Sequence, residues 1–211
     1  MASYIDEMLD SALSQREKMD FPLILVIEDG NAKRSEKIAA LFAQQYVSFY
    51  THTNGEDMDI ALQMTAIPEE MEVAVIGLTN PDARAIKNTC QLLRPSHGIC
   101  LLNEAVSIGL LQALEQIKGV MFIDNDHQNV LKEGAYYNKK VFFAQSQSLN
   151  ITHHPIEVSM EQNKISFLDD DGAHISTETS IKQPEVIKAM VALGRYFKIP
   201  VEKIKHAIQN D

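Results

Sequence analysis

The chain has 211 residues, of which 45% are hydrophobic and 23% charged, which suits one globular domain with a sizeable core. Its formal net charge of −10 repels nucleic-acid backbones and anionic lipid, and no basic run offsets that charge, so neither is an expected partner. The sequence has no N-terminal signal layout and no apolar run of the roughly 18 residues that a membrane span needs, so we expect a cytoplasmic protein.

The first predicted element is an amphipathic helix over residues 4–18, within an N-terminal segment of residues 1–20. Apolar side chains fall on one of its faces and charged ones mostly on the other. Packing on its own domain and docking on a partner chain are both open for this helix. We predict that residues 21–211 form a single domain. The apolar face consists of Ile5, Met8, Leu9, Ala12 and Leu13.

Short apolar runs and helical patterns then alternate along the chain. This alternation predicts an α/β fold with a doubly wound, mostly parallel sheet. The predicted strands are residues 23–27, 47–51, 73–78, 98–102, 120–124 and 139–144. The predicted helices are residues 33–45, 57–66, 82–93, 106–117 and 128–134.

After Gln145 the pattern changes to short alternating pieces separated by polar turns, at residues 162–163 and 169–172. This pattern predicts a small antiparallel sheet within residues 145–180, and Pro200 separates two helices that close the chain. The strand-like pieces are residues 155–160, 164–168 and 174–177, and the closing helices are residues 185–197 and 200–208.

Residues 23–41, LILVIEDGNAKRSEKIAAL, have the layout of a phosphate-binding strand, loop and helix. A working P-loop reads G-x-x-x-x-G-K-[ST]: the glycines let backbone N–H groups surround the phosphates, and the hydroxyl holds Mg²⁺. Lys33 stands at the lysine position, but Asp29 and Ala32 lie where glycine's freedom is needed. Arg34 replaces the hydroxyl residue. We therefore predict that this loop binds nucleotide weakly.

Glu28 and Asp29 strengthen that prediction, because both would stand beside a bound triphosphate. At roughly 4 Å and an intermediate dielectric, each like-charge pair costs on the order of 4 kcal/mol. In the alternative interpretation, residues 28–31 only form a polar turn that caps the next helix.

Five stretches in chain order resemble the central ATP-binding domain of the Mur ligases, the bacterial enzymes that add amino acids to the peptidoglycan precursor. The likeness is greatest to the branch that adds D-alanyl-D-alanine. IEDGNAKRS falls on the family's I-T-G-x-N-G-K-T-T, and THTNGED on T-x-G-N-x-N. The family's V-x-E-M-G, followed by P-G-E-I, matches VAVIGLTNPDARAI. Its R-P-D before a strand matches LLRPSHGICLLN, and its viNaDD matches FIDNDH. KQPEVIKAMVA and KIPVEKI fall on the closing pattern G-x-H-N-x-x-N-A-x-A-A with lGip-e-e-I.

The departures from this family are concentrated where its chemistry lies. The Mg²⁺-binding Glu of V-x-E-M-G falls on Val75, and the P-loop Thr falls on Arg34. The segment between residues 103 and 118 is shortened, which removes the family's metal-binding His and the place of its carbamylated lysine. The resemblance thus implies an ATP-dependent ligase scaffold with a degenerate site. In the closing pattern, the His and the two Asn fall on Pro184, Glu185 and Lys188.

From these observations we expect a stand-alone Mur-ligase-like domain, because the family's two substrate domains do not fit within 211 residues. We predict a binding or regulatory module without catalytic residues, whose partner is another protein or a second copy. No metal and no obligatory cofactor are expected. Cys90 and Cys100 lack metal-ligand spacing and are predicted to be reduced core thiols.

Two alternatives remain open. The chain could bind a nucleotide or a UDP-linked metabolite, with ATP or ADP held weakly and the Arg34 guanidinium replacing a metal as counter-charge. It could also be an active ATP-dependent amide ligase that uses Glu28, Asp29 and Glu36 as unusual metal ligands. The candidate cofactor-binding residues are Asn31, Lys33, Arg34, Ser35, Asp124 and Asp126.

Overall fold

The fold was determined from a computed structural model of the chain. The structure describes residues 4–30, 33–124, 128–134, 140–144, 156–161, 164–168 and 173–209. The predicted turns at residues 162–163 and 169–172 lie outside these ranges. None of the described helices is long and apolar enough to cross a lipid bilayer.

Helices and strands follow the predicted order, and each boundary lies within two residues of the predicted one. The helices are α1 (Tyr4–Lys18), α2 (Arg34–Ala43), α3 (Asp57–Thr65), α4 (Ala83–Leu93), α5 (Glu104–Ile117), α6 (Gln128–Gly134), α7 (Pro184–Tyr196) and α8 (Val201–Gln209). The strands are β1 (Leu23–Glu28), β2 (Ser48–Thr53), β3 (Val73–Thr79), β4 (His97–Cys100), β5 (Val120–Asp124), β6 (Lys140–Ala144), β7 (Ile156–Glu161), β8 (Lys164–Leu168) and β9 (His174–Glu178).

The strands form one sheet in the order β2-β3-β1-β4-β5-β6-β7-β8-β9. Strands β1 to β6 are parallel to their neighbours, which confirms the predicted doubly wound α/β fold. The predicted antiparallel pieces are also confirmed, since β8 runs antiparallel to both β7 and β9. Strand β7 pairs in parallel with β6, so the antiparallel strands continue the edge of the main sheet.

The central strand β1 shows why the chain folds in three layers. All six of its residues are buried, as expected for a parallel strand covered on both faces. Ile24 and Val26 point into a core formed with α2, α7 and α8. Leu23, Leu25 and Ile27 point into the opposite core, which α1, α3, α4 and α5 cover.

Local capping groups set where several helices begin. The Asp82 carboxylate accepts the Ala85 N–H at 2.7 Å, so this residue caps α4 rather than belonging to it. In the same way, the Asn103 side chain accepts the Val106 N–H at 3.2 Å, and α5 begins earlier than predicted. Pro184 opens α7, where its missing N–H costs no helical hydrogen bond.

Helix α1 packs against α3 and α4 of its own domain. Ala12 is buried in this contact. The Arg16 guanidinium adds polar contacts at the end of α4, donating to the carbonyl oxygens of Leu93 at 2.7 Å and Arg94 at 2.9 Å. A cation at a helix C-terminus also interacts favourably with the helix dipole. Arg16 therefore fixes the position of α1.

We expect Arg16→Ala to lower the free energy of unfolding by about 1.5–3 kcal/mol, because hydrogen bonds to a charged group are lost. Amide hydrogen exchange in α1 should accelerate as well. Urea unfolding and exchange measurements test this, with Arg84→Ala, an exposed arginine on α4, as the control. Equal effects of the two substitutions would contradict the role given to Arg16.

Candidate functional site

The candidate site lies at the carboxyl ends of the central parallel strands, where ligands bind in open α/β sheets. The β1 strand ends at Glu28, and the loop that follows leads into α2. The ends of β4 and β5 lie on the other side of β1 from β3. The first turn of α7 closes the site, since Glu185 contacts Arg34 at the start of α2.

Glu28 binds the N-terminus of α2, the kind of helix start at which a working P-loop holds phosphate. Its carboxylate is 3% exposed, and Oε2 accepts the backbone N–H groups of Arg34 at 2.5 Å and Ser35 at 2.9 Å. The other oxygen, Oε1, accepts the Ser35 hydroxyl. Free N–H groups and the helix dipole make a helix N-terminus attractive to anions. Here the chain's own carboxylate satisfies the N-terminus of α2.

The surroundings of Glu28 are shaped to hold it there. The Ser35 hydroxyl also contacts the Tyr50 hydroxyl at 3.0 Å. Burial raises the pKa of Tyr50, so this phenol stays neutral and able to donate. Gly77 of β3 lies directly against the pair, since an added Cβ would stand 2.5 Å from Ser35 Oγ and 2.9 Å from Glu28 Oε1. The close approach of Glu28 and Ser35 therefore requires a glycine at position 77.

Arg34 stands where the Mur-ligase motif has a threonine, and its guanidinium is bound by the protein itself. One terminal nitrogen donates to the Leu101 carbonyl oxygen at the end of β4. The other lies 3.2 Å from the Asp29 carboxylate and 3.1 Å from that of Glu185. The side chain is only 15% exposed, so these contacts are poorly screened by water. Arg34 thus joins three elements instead of projecting toward solvent.

A second ion pair lies beside the first. The Lys188 ammonium contacts the Asp124 carboxylate at 2.7 Å, and the two side chains are 7% and 9% exposed. Lys188 stands three positions after Glu185, on the same face of α7. Helix α7 is therefore tied to the loop after β1 and to the end of β5.

These charged groups line one cavity of about 500 Å³. Among the described lining residues, three are acidic and two are basic, so their summed formal charge is −1. Such a lining gives a polyanion no net attraction. The lining residues are Asp29, Arg34, Leu101, Leu102, Asn103, Asp124, Pro184, Glu185 and Lys188.

The structure brings only some of the predicted site residues together. Arg34 and Asp124 line the same cavity, whereas Ser35 is buried under Glu28. The Lys33 side chain is 80% exposed, and its ammonium lies 3.8 Å from Glu36. The two remaining candidates, Asn31 and Asp126, lie outside the described residues.

Sequence reasoning missed how Glu28, Gly77, Glu185 and Lys188 act at this site. It placed Glu28 beside a bound phosphate, and the structure shows that the Glu28 carboxylate accepts the N–H groups at the N-terminus of α2. The sequence does contain a signal for the contact between Arg34 and Glu185. Where the Mur-ligase pattern has uncharged residues, this chain gains charges of opposite sign at Arg34 and Glu185, and such exchanges indicate pairing.

The carboxylates proposed as unusual metal ligands do not meet at one point. Glu28 binds the N-terminus of α2, Asp29 binds Arg34, and Glu36 lies near Lys33. Among the residues that the structure describes, no group of three or more His, Cys, Asp and Glu side chains is arranged to hold a metal ion.

The sequence matches no protein-family model and no curated protein, but several solved structures are similar. MurF from Acinetobacter baumannii is 14% identical with a TM-score of 0.71, over 100% of this chain and 50% of that one. MurF ligase from Thermotoga maritima, in complex with ADP, is 13% identical with a TM-score of 0.69, over 100% and 53%. A pseudomurein peptide ligase type C from Methanothermus fervidus is 12% identical with a TM-score of 0.69, over 94% and 51%.

At these identities the likeness establishes the fold. The chain has the fold of the Mur ligases' central domain, which confirms the resemblance that the collinear motifs predicted. It spans about half the length of the ligases that it matches.

We expect Gly77→Ala to lower the free energy of unfolding by about 1–3 kcal/mol, because the methyl group overpacks the contact between Glu28 and Ser35. Gly109→Ala is the matched control, since its added Cβ would only meet Ile86 at an ordinary 3.5 Å. Gly109 lies within α5, where alanine should stabilise the helix by about 0.5–1 kcal/mol. Chemical denaturation measures both, and a neutral Gly77→Ala would contradict the tight packing.

Proposed function

We propose that this chain is a Mur-ligase-like binding module without ligase activity. The observation that carries the proposal is the bonding of the Glu28 carboxylate to the backbone N–H groups of Arg34 and Ser35. An internal anion thereby occupies the position at which a P-loop binds phosphate. The module keeps the core of the fold and contributes surfaces for recognition.

The energetic argument concerns the displacement of Glu28. A nucleotide phosphate would have to replace hydrogen bonds to a charged group, which contribute about 1.5–3 kcal/mol each. If Glu28 stayed in place, the repulsion at roughly 4 Å would cost on the order of 4 kcal/mol. Every 1.4 kcal/mol is about a factor of ten in affinity, so either route weakens a micromolar site to about the millimolar range.

The chemistry of a ligase supports the same conclusion. Formation of an acyl phosphate needs a γ-phosphate clamped by metal and positioned against a carboxylate. The positions that the family resemblance assigns to metal binding carry Val75, which is fully buried, and Arg34, which is held by protein groups. Removing one electrostatic stabiliser commonly costs about 3–4 kcal/mol, so the loss of several leaves no useful rate.

A second candidate function is metal-independent binding of a nucleotide or a UDP-linked metabolite. The favouring observation is that Arg34 and Lys188 line one cavity with Asp124. Within the described chain, Arg34 Nε also has no hydrogen-bond partner, so the guanidinium retains an unused donor. Against it stand the two carboxylates that already pair with Arg34.

Isothermal titration with ATP and ADP, with and without Mg²⁺, tests the proposal. We expect at most weak binding by the unaltered protein, with a Kd of about 1 mM or higher. Glu28→Thr, which restores the residue of the family motif, should gain at least about tenfold in affinity as the α2 N–H groups become free. Glu36→Gln is the matched control, because it removes one exposed acid from the same helix turn and should gain nothing.

Two results would overturn the proposal. Micromolar binding by the unaltered protein that needs Arg34 but not Mg²⁺, as judged with Arg34→Ala, would establish the second candidate. Mg²⁺-dependent binding with release of ADP and phosphate on addition of amino acid or peptide acceptors would establish an active ligase.

A further inference from the structure

We propose that the free edge of β2 is a self-association surface, at which β2 of one copy pairs in antiparallel fashion with β2 of a second copy. Two sheets would then become one continuous sheet. The inference rests on the proposed function in one respect, because it names the partner of the binding module. Its structural basis is separate from the phosphate loop.

Strand β2 is the first in the sheet order and pairs only with β3 in the described part of the chain. The Val47 carbonyl oxygen accepts N–H groups from Glu72 at 2.8 Å and Val73 at 3.4 Å. Backbone groups turn to opposite sides at successive strand residues. The N–H and C=O groups of Ser48, Tyr50 and His52 therefore point away from β3.

This edge lacks the features that protect natural sheet edges, which are charged side chains, proline, bulges and very short strands. The strand sequence, SFYTHT, has no charged residue and no proline, and its pairing with β3 is regular over all six residues. The opposite edge differs. Strand β9 carries Glu178, and its Thr177 hydroxyl accepts a hydrogen bond from Gln209 of α8 at 2.7 Å.

Charge favours a second copy as the occupant. A symmetric dimer brings the same patch of each copy together, and this chain has a net charge of −10. Because β2 contains no charged residue, the pairing sets no like-charged side chains of the two strands opposite each other. An exposed large apolar side chain also flanks this strand, since Val47, 53% exposed, directly precedes β2.

The outward backbone groups fix the register of the pairing. A two-fold axis at Tyr50 places that residue opposite its own copy and Ser48 opposite His52 of the partner subunit. Three such pairs give about six backbone hydrogen bonds. Stable dimers usually bury about 1,200–2,000 Å² in total, and weak, reversible ones bury less. A pairing that extends over only six strand residues is expected to belong to the weak class. We therefore expect reversible dimers with micromolar affinity.

Sedimentation equilibrium on the full chain, up to about 300 μM, tests the pairing. The double variant Ser48→Glu, His52→Glu places two acids opposite each other and should weaken the dimer at least about tenfold. Ser48→Glu with His52→Lys places opposite charges together and should restore it. The matched control, Ser176→Glu with His174→Glu, puts the same changes on the β9 edge and should leave the dimer unchanged.

Thermal unfolding verifies that each variant is folded. If a double variant does not fold, the single variant His52→Glu is measured in its place. A monomer at every concentration would overturn the inference. So would dimers that tolerate the paired acids, or dimers that the opposite charges fail to restore. Nucleotide titrations probe a different site. A protein that does not dimerise would therefore leave the proposed function unchanged, and nucleotide binding would leave the inference about the β2 edge unchanged.

Discussion

The contact between the Glu28 carboxylate and the N-terminus of α2 is the interaction on which the rest of the site depends. The first N–H groups of any helix need acceptors, and a P-loop leaves them for a phosphate. Here the last residue of β1 provides the acceptor, and Ser35 supplies a further hydrogen bond. A buried carboxylate is costly unless it is fully hydrogen-bonded, so its neighbours must either donate hydrogen bonds or be small enough to leave room for it. Gly77 meets that requirement on β3.

The neighbouring charges extend the same principle. Buried or half-buried ions are costly to desolvate and are tolerated when each has a partner in good geometry. Arg34 meets Glu185, and Lys188 meets Asp124, so each cation near the cavity has its own carboxylate. Both pairs tie α7 to the carboxyl edge of the sheet. Groups that would have been free for a ligand instead join secondary-structure elements to each other.

The fold alone does not assign a role, since one scaffold supports many activities. What distinguishes this chain is where polar groups remain unsatisfied. At the carboxyl edge of the sheet, internal partners take up most of the bonding capacity of the charged groups. At the β2 edge, backbone groups face outward without a neighbouring strand in the described part of the chain. Among the described residues, the unsatisfied polar groups therefore lie more at the side of the sheet than at the carboxyl ends of its strands.

The sequence alone determined the order of the elements and their approximate bounds, because hydrophobic periodicity acts locally. It also predicts from Asp29 and Arg34 that the loop binds nucleotide weakly, since loop chemistry is read from adjacent positions. Only the tertiary structure decided that Glu28 turns into α2 and that Lys188 reaches Asp124, 64 positions away. Periodicity indicates which face a residue occupies, whereas the partner across the fold depends on how helices pack on the sheet.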